Sequence, residues 1–225
     1  MKKQFIALIL VLTSVFIFSG CSNAKSDDKV SMAKEATKNF DYIVSNNIEN
    51  KVYHAELDHF GILLKDGDKF EWTGDTSVSQ ADFSLSLNAD EFIKAGLDVS
   101  KLDGTSFTYQ KSSGTTPSIL VYTFNVSDKK AAYKDYKEAF EMLLTQIPER
   151  LSELNNDGFI LDIGQVFQVH WNGEQRKNKD IAFVINAKDL IKAGLDVNKL
   201  MEWKIWKNTD SSDTQIKLFK VYYLK

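Results

Sequence analysis

An internal repeat constrains the fold of this chain more than any other feature of its sequence. Residues 88–102, NADEFIKAGLDVSKL, return as residues 186–200, NAKDLIKAGLDVNKL, with eleven of fifteen positions identical at an offset of 98 residues. A match of this length, in a sequence without low complexity, is typical of a duplicated structural unit. We therefore predict two tandem homologous repeats, at residues 31–126 and 127–225.

The similarity continues upstream of the fifteen-residue segment. Alternating apolar residues precede it in both copies, at 83, 85 and 87 and at 181, 183 and 185, as in a half-buried strand. A further set of aromatic residues and glycines aligns Trp72 with Trp171, Gly61 with Gly158, Gly67 with Gly164 and Phe70 with Phe167.

The repeated segment predicts a short helix between strands. Asn88 and Asn186 are suited to cap its start, and Gly96 and Gly194 supply the left-handed residue that ends such a helix. Capping and core packing explain nearly every identical position. We therefore interpret the segment as structural and not as a paired ligand site.

A longer helix is predicted at the start of each unit. Apolar residues spaced by three and four between Tyr133 and Leu154 predict an amphipathic helix, which Pro148 should kink or split. A weaker pattern predicts a helix from Ser31, and residues 50–60 are predicted as a second short helix.

Two hairpins follow the short helices, at residues 105–126 and 203–225. Antiparallel strands with helices predict an α+β fold, in which the units join into one extended antiparallel sheet with helices on one face. The element order resembles that of tandem-repeat β-lactamase inhibitory protein, which implies a continuous concave sheet. That resemblance rests on no sequence motif and implies no function.

The N-terminal residues have the pattern of an export signal. Two lysines precede an apolar run over residues 5–18, which is shorter than a membrane-spanning helix, and the run ends at Phe18-Ser19-Gly20-Cys21. This ending resembles the lipobox of bacterial lipoproteins, although Phe18 replaces the usual leucine. An ordinary secretory signal and an uncleaved anchor are the alternatives.

The lipobox resemblance implies a diacylglycerol thioether on Cys21 and cleavage after Gly20. Residues 1–20 would then be a lipoprotein signal peptide and residues 21–30 a flexible tether. The expected location is the cell membrane, where a lipid-anchored protein would face the extracytoplasmic side.

Composition and motifs argue against several functions. With 28 Lys+Arg against 31 Asp+Glu there is no basic excess for nucleic acid, and one cysteine cannot form an internal disulfide. We find no phosphate-binding loop, nucleophile elbow or zinc motif, and the three histidines do not have metal-ligand spacing. We therefore expect no metal, no cofactor and no enzymatic activity.

Four tryptophans are the candidate ligand-binding residues: Trp72, Trp171, Trp203 and Trp206. Residues of opposite parity on a strand face opposite ways, so one of Trp203 and Trp206 should be exposed. The alternative for Trp72 and Trp171 is that both are core residues.

The expected function is a binding or interaction protein of the bacterial cell envelope. Its partner would be an envelope protein, a peptide or a glycan. The alternatives are an inhibitor or immunity-type protein that masks an enzyme, and a hydrolase that uses two paired carboxylates.

Overall fold

The computed structural model describes residues 26–46, 52–55, 59–74, 81–112, 118–126, 133–155, 158–173, 179–208 and 215–224. It has a mixed α+β architecture with two six-stranded antiparallel sheets. The α+β class that we predicted is therefore confirmed.

Two longer helices, α1 (Ser26–Ser45) and α3 (Tyr136–Gln146), each precede one of the sheets. Helix α1 begins within the predicted tether, so the last five tether residues are helical instead of flexible. Asp27 and Asp28 lie in its first turn, where carboxylates favour a helix start. Among the described residues, no helix is long and apolar enough to cross a membrane.

The first sheet has the order β1-β2-β3-β4-β6-β5, with the short helix α2 (Ala89–Lys94) between β4 and β5. Its strands are β1 (Val52–Ala55), β2 (His59–Leu63), β3 (Lys69–Thr73), β4 (Phe83–Asn88), β5 (Thr108–Gln110) and β6 (Ile119–Phe124).

The second sheet has the order β7-β8-β9-β10-β12-β11, with α4 (Lys188–Lys192) between β10 and β11. Its strands are β7 (Leu151–Leu154), β8 (Gly158–Ile163), β9 (Phe167–Asn172), β10 (Lys179–Asn186), β11 (Lys204–Asn208) and β12 (Gln215–Leu224). The two strand orders match position by position.

The strands do not form the single extended sheet that we predicted. No strand pairing joins the two sheets within the described ranges. The half that contains the first sheet meets the half that contains the second sheet partly through the residues that follow α2 and α4: the Asp98 N–H donates to the Ala193 carbonyl, and the Asp196 N–H donates to the Ala95 carbonyl, each at 2.9 Å. These crossed hydrogen bonds come from matching positions of the repeated segment.

Two helix predictions were wrong. Residues 50–60 include β1 and the start of β2, and the predicted long helix ends at Gln146. Pro148 opens a single 3-10 turn because it has no N–H for a continuing helix. Leu151–Leu154 then pairs with β8, which supplies the backbone hydrogen bonds that a helix would have supplied.

The strand registers also correct the alignment of the two halves. Phe70 lies opposite Leu85, and Val169 lies opposite Phe183. Because Leu85 and Phe183 match at an offset of 98, Phe70 matches Val169 at an offset of 99, not Phe167. The offset is 99 in the second and third strands of each half and 98 in the fourth.

The apolar core is shared between the halves. Phe40 of α1 stacks on Phe140 of α3 with ring centroids 4.6 Å apart, and α1 contacts β8 and β9 while α3 contacts β3. Each long helix thus packs against the sheet of the other half.

Candidate functional site

The residues proposed from sequence occupy different environments. Trp72 and Trp171 are fully buried, and Trp203 is 5% exposed. Only Trp206 has an accessible ring, at 48% exposure, which agrees with the parity argument for Trp203 and Trp206. Cys21 lies outside the described residues.

The two fully buried tryptophans connect the sheets to the two long helices by hydrogen bonds. The Trp72 indole N–H donates to the Tyr136 carbonyl at 3.0 Å, and the Trp171 indole N–H donates to the Ala36 carbonyl at 3.2 Å. Each bond runs from one sheet to the long helix of the other half. As placed, neither indole offers surface to a ligand.

The outer face of the second sheet carries the polar residues of β8, β9 and β12, whose alternate residues point into the core. At one end of this face lies a polar cleft of about 690 Å³. Its lining combines two acids, two bases and four carboxamides: Glu149, Arg150, Asp162, Lys217, Gln165, Gln168, Asn186 and Gln215.

Hydrogen bonds orient part of this lining before any ligand arrives. One oxygen of Asp162 accepts from the Gln165 backbone N–H at 3.0 Å, and the other accepts from the Gln168 amide at 3.3 Å. Asp162 therefore fixes the β8–β9 turn and the Gln168 side chain. Both of its oxygens are engaged, which favours a positioning role over that of a catalytic acid.

His170 extends the same network. Its Nε2 lies 3.2 Å from Gln168 Oε1. Because the Gln168 amide nitrogen donates to Asp162, Gln168 Oε1 must accept, and this assigns the ring proton to Nε2 of neutral His170. Burial, together with the charge of Lys217, lowers the pKa of His170 to about 4.

Trp206 borders the polar cleft. It lies directly opposite Lys217 in the β11–β12 register, and Lys217 Nζ is 5.7 Å from the centre of the indole ring. The cleft thus has an exposed aromatic ring at its edge and planar hydrogen-bonding groups in its wall.

A second pocket, of about 250 Å³, adjoins the polar cleft and shares Gln165 and Asn186 with it. We call it the turn pocket. Its other lining residues are Gly164, Val166, Lys188 and Asp189.

A buried charged cluster joins the two halves on the side of the first sheet. Lys220 Nζ lies 3.0 Å from Asp68 Oδ2, and the two side chains are 5% and 2% exposed. The Tyr222 hydroxyl also donates to Asp68, while Asp66 Oδ2 lies 3.4 Å and Glu91 Oε2 3.9 Å from Lys220 Nζ.

The protonation of this cluster follows from its charges. Burial alone would lower the pKa of Lys220, but the neighbouring carboxylates, chiefly Asp68, outweigh it and raise that pKa. Burial and the Asp68 carboxylate likewise raise the pKa of Tyr222. Both groups therefore stay protonated at neutral pH.

Our sequence reasoning missed both the polar cleft and the charged cluster. A signal for the cluster was present: Lys220 has the inward parity of its strand, between Leu218 and Tyr222. The cleft residues come from four separate stretches of the chain, at 149–150, 162–168, 186 and 215–217, and no spacing along the chain brings them together.

The described residues include no group of three or more His, Cys, Asp or Glu side chains placed to hold a metal ion. No protein-family model matches this chain, and comparisons with curated proteins and with solved structures find no significant match.

Proposed function

We propose that this chain is a lipid-anchored, extracytoplasmic binding protein of the bacterial cell envelope, and that its ligand occupies the polar cleft of the second sheet. The observation that carries the site is the cleft itself, with Trp206 at its edge. A concave site with oriented polar groups beside an exposed aromatic ring is a common form of ligand site.

The hydrogen bond between Gln168 and Asp162 fixes the orientation of both side chains, which supports ligand binding as the function of the cleft and not catalysis. Preorganised hydrogen-bonding groups lower the entropic cost of ligand binding because fewer side chains must be immobilised. A carboxylate hydrolase would instead need a free acid, and Glu149 is the other carboxylate in the same cleft. Hydrolysis of envelope material by the wild-type chain that is lost in the E149Q variant would favour the hydrolase.

The location rests on the lipobox pattern around Cys21. Two acyl chains give stable membrane anchoring, at about 0.8 kcal/mol for each buried methylene group. Labelling of the wild-type chain with radioactive palmitate, and loss of the label in the C21S variant, tests this part of the proposal. A C21S chain that still carries label would overturn it.

The architecture supports the proposal that the chain arose as two tandem homologous repeats. The matching strand orders and the crossed hydrogen bonds between the residues that follow α2 and α4 are the supporting observations. Duplicated units diverge in their surfaces more readily than in their cores, so a ligand site in one half only is consistent with this origin.

An inhibitor that masks an enzyme is the second candidate, because Met201 is 92% exposed in the loop before β11. A protruding apolar side chain is a typical anchor for a partner protein.

The experiment that tests the site is a comparison of variants for retention of solubilised envelope material. W206A should lose ligand, whereas W206F should retain it because the ring remains. M201A is the matched control at the other exposed apolar side chain. Loss of retention with M201A and not with W206A would favour the inhibitor instead.

A further inference from the structure

The outer face of the β11–β12 hairpin carries lysine and aromatic side chains together. Trp206 lies opposite Lys217, and Lys204 lies opposite Phe219, so these four side chains occupy neighbouring outward positions of the two strands. Tyr223, which is 63% exposed, has the same parity further along β12. We call these five residues the hairpin face. Neither β11 nor β12 contains Asp or Glu, so the charge of the hairpin face is positive.

The first hairpin has neither lysine nor tryptophan at the matching outward positions. The outward pairs are Thr108–Val121 and Gln110–Ile119 in the first half, and Lys204–Phe219 and Trp206–Lys217 in the second. The inward residue between them on the longer strand is a fully buried leucine in both halves, Leu120 and Leu218. The two hairpins thus agree on the inside and differ on the outside. The fold therefore does not require the lysines and aromatic rings of the hairpin face.

Helix α1 runs antiparallel to α3. Asp41, near the end of α1, accepts a hydrogen bond from Tyr136 and lies 3.9 Å from Lys137 Nζ, both at the start of α3. Only four residues of α1 follow Asp41, so the part of α1 that lies along α3 must precede it. At about 1.5 Å per residue, Ser26 lies about 22 Å from Asp41, whereas α3 is only about 15 Å long from Tyr136 to Gln146. The start of α1 is therefore level with the turn that follows α3.

That turn connects the start of α1 with the hairpin face. Glu149 and Arg150 of the turn line the polar cleft, and so does Lys217 of the hairpin face. Five residue steps separate Cys21 from Ser26, and they span at most about 17 Å when fully extended. A lipid on Cys21 would therefore hold this end of the molecule close to the bilayer.

The acids on the same side of the second sheet lie far from Lys204. Asp162 and Lys204 are at opposite ends of one cross-strand row, four strand spacings apart. Asp180 is two strands away and displaced by four residues along β12. At about 4.8 Å per strand spacing and about 3.4 Å per residue, both carboxylates are about 15 Å or more from Lys204. Because the Debye length is about 8 Å, they offset little of its charge.

Building on the proposed lipid anchor, we infer that the hairpin face is a membrane-docking surface and rests on anionic headgroups of the bilayer that holds the anchor. Trp and Tyr rings concentrate at membrane interfaces, and each lysine near an anionic surface strengthens binding about fivefold. The anchor already holds the protein at the bilayer, so this attraction is enough to orient it. The polar cleft, which shares Lys217 with the hairpin face, then opens beside the headgroups.

Fluorescence quenching by brominated lipid tests this inference on the anchored protein. The lipidated chain is reconstituted into vesicles of phosphatidylcholine alone, and of equal parts phosphatidylcholine and phosphatidylglycerol, both with brominated acyl chains. We expect stronger quenching in the anionic vesicles, because docking brings the exposed ring of Trp206 to the headgroups. W206F should remove most of this difference, and added salt should reduce it.

Substitutions at Lys204 separate docking from ligand binding, because Lys204 is not one of the described residues that line the polar cleft. K204T introduces the residue of the first half and should lower the ratio of docked to undocked protein about fivefold. K204E reverses the charge and should lower it at least about tenfold. The matched control is K134E, at an exposed lysine beside the start of α3, far from Ser26. It should leave the quenching unchanged.

The outcomes distinguish this inference from the proposed function. Equal quenching in the two kinds of vesicle, or quenching that K204E leaves unchanged, would overturn membrane docking. The proposed function would still stand if Cys21 carries palmitate label and W206A loses envelope material, because neither result requires docking. If soluble poly(glycerol phosphate) binds through Lys204 while anionic vesicles do not quench Trp206, the partner is an anionic polymer and not the membrane. A chain without palmitate label would overturn the anchor and the docking together.

Discussion

Lys220 and Asp68 form a buried ion pair between the two halves of the molecule. The residues at the matching positions form a stacked aromatic pair instead. By strand register Lys220 matches Tyr122 and Asp68 matches Phe167. The Tyr122 and Phe167 rings stack at 6.1 Å between centroids, whereas Lys220 Nζ and Asp68 Oδ2 are 3.0 Å apart. One contact between the halves is thus ionic and the other apolar.

Removing one partner of the ion pair should destabilise the protein strongly. K220M and D68N each leave a buried group without its main partner, which costs about 3–5 kcal/mol. The double variant should lose less than the sum of the two because neither charge is then stranded. Urea unfolding measures these differences in stability, and K94M, a substitution at an exposed lysine, is the control. Losses in the double variant that equal the sum of the two single losses would contradict the account.

The two repeated glycines should be sensitive to substitution. Gly96 and Gly194 both have φ of +102°, and a Cβ on either would lie about 3 Å from the carbonyl oxygen of the other. G96A and G194A should therefore each cost about 1–3 kcal/mol of unfolding free energy through strain and crowding.

Gly104 is the matched control for this prediction. Its φ is +75°, but a Cβ there would meet nothing within 4 Å. G104A should cost clearly less than G96A in the same unfolding experiment. Equal losses at the two sites would show that the contact between the halves contributes nothing.

Much of this fold was predictable because the repeated segment contains its own helix signals. Asn88 caps α2 through the Asp90 N–H at 3.0 Å, and Asn186 makes the matching bond to Lys188 at 3.1 Å. The contact between Gly96 and Gly194 was not predictable, because nothing in a local pattern shows that two copies of a segment meet. Their identity is explained by this meeting as well as by capping.

The candidate site was only partly predictable from the sequence. Strand parity distinguished exposed Trp206 from buried Trp203. For Trp72 and Trp171 the sequence did not decide between burial and exposure, because each lies on an alternating strand with other aromatic residues. The polar cleft depends on how the β8–β9 turn lies beside β12 and the 3-10 turn before β7. That arrangement is set by tertiary packing, which periodicity does not contain.

Acid should destabilise the second sheet through His170. The unfolded chain takes up a proton on this residue near pH 6.5, whereas the folded protein resists it until about pH 4. Stability should therefore fall as the pH falls from 6.5 to 4, because protonation favours the unfolded chain. Lys217 and Asp162 are the charged groups that act on the ring, with Lys217 opposing its protonation.

A comparison of wild type with H170Q tests this pH dependence. The variant lacks the titrating ring, so its urea midpoint should fall less between pH 7 and pH 4.5. A parallel loss in both proteins would contradict the assignment of the effect to His170.

The tryptophan environments predict a simple optical result. Trp72, Trp171 and Trp203 are buried, so acrylamide should reach mainly Trp206. W206F should remove most of the quenchable emission, while W203F should leave it in place. Quenching that survives in W206F would show that one of the buried rings is accessible.

The central claim is that ligand binds at the polar cleft of the second sheet, and backbone amide NMR tests it most directly. Titration of the isotope-labelled chain with the envelope fraction that the wild type retains and W206A does not should shift the amides of Gln165, Asn186, Lys217 and Trp206. The matching residues of the first half, such as Asp66 and Asn88, should not move. Shifts confined to the first sheet, or none at a saturating amount of that fraction, would contradict the account.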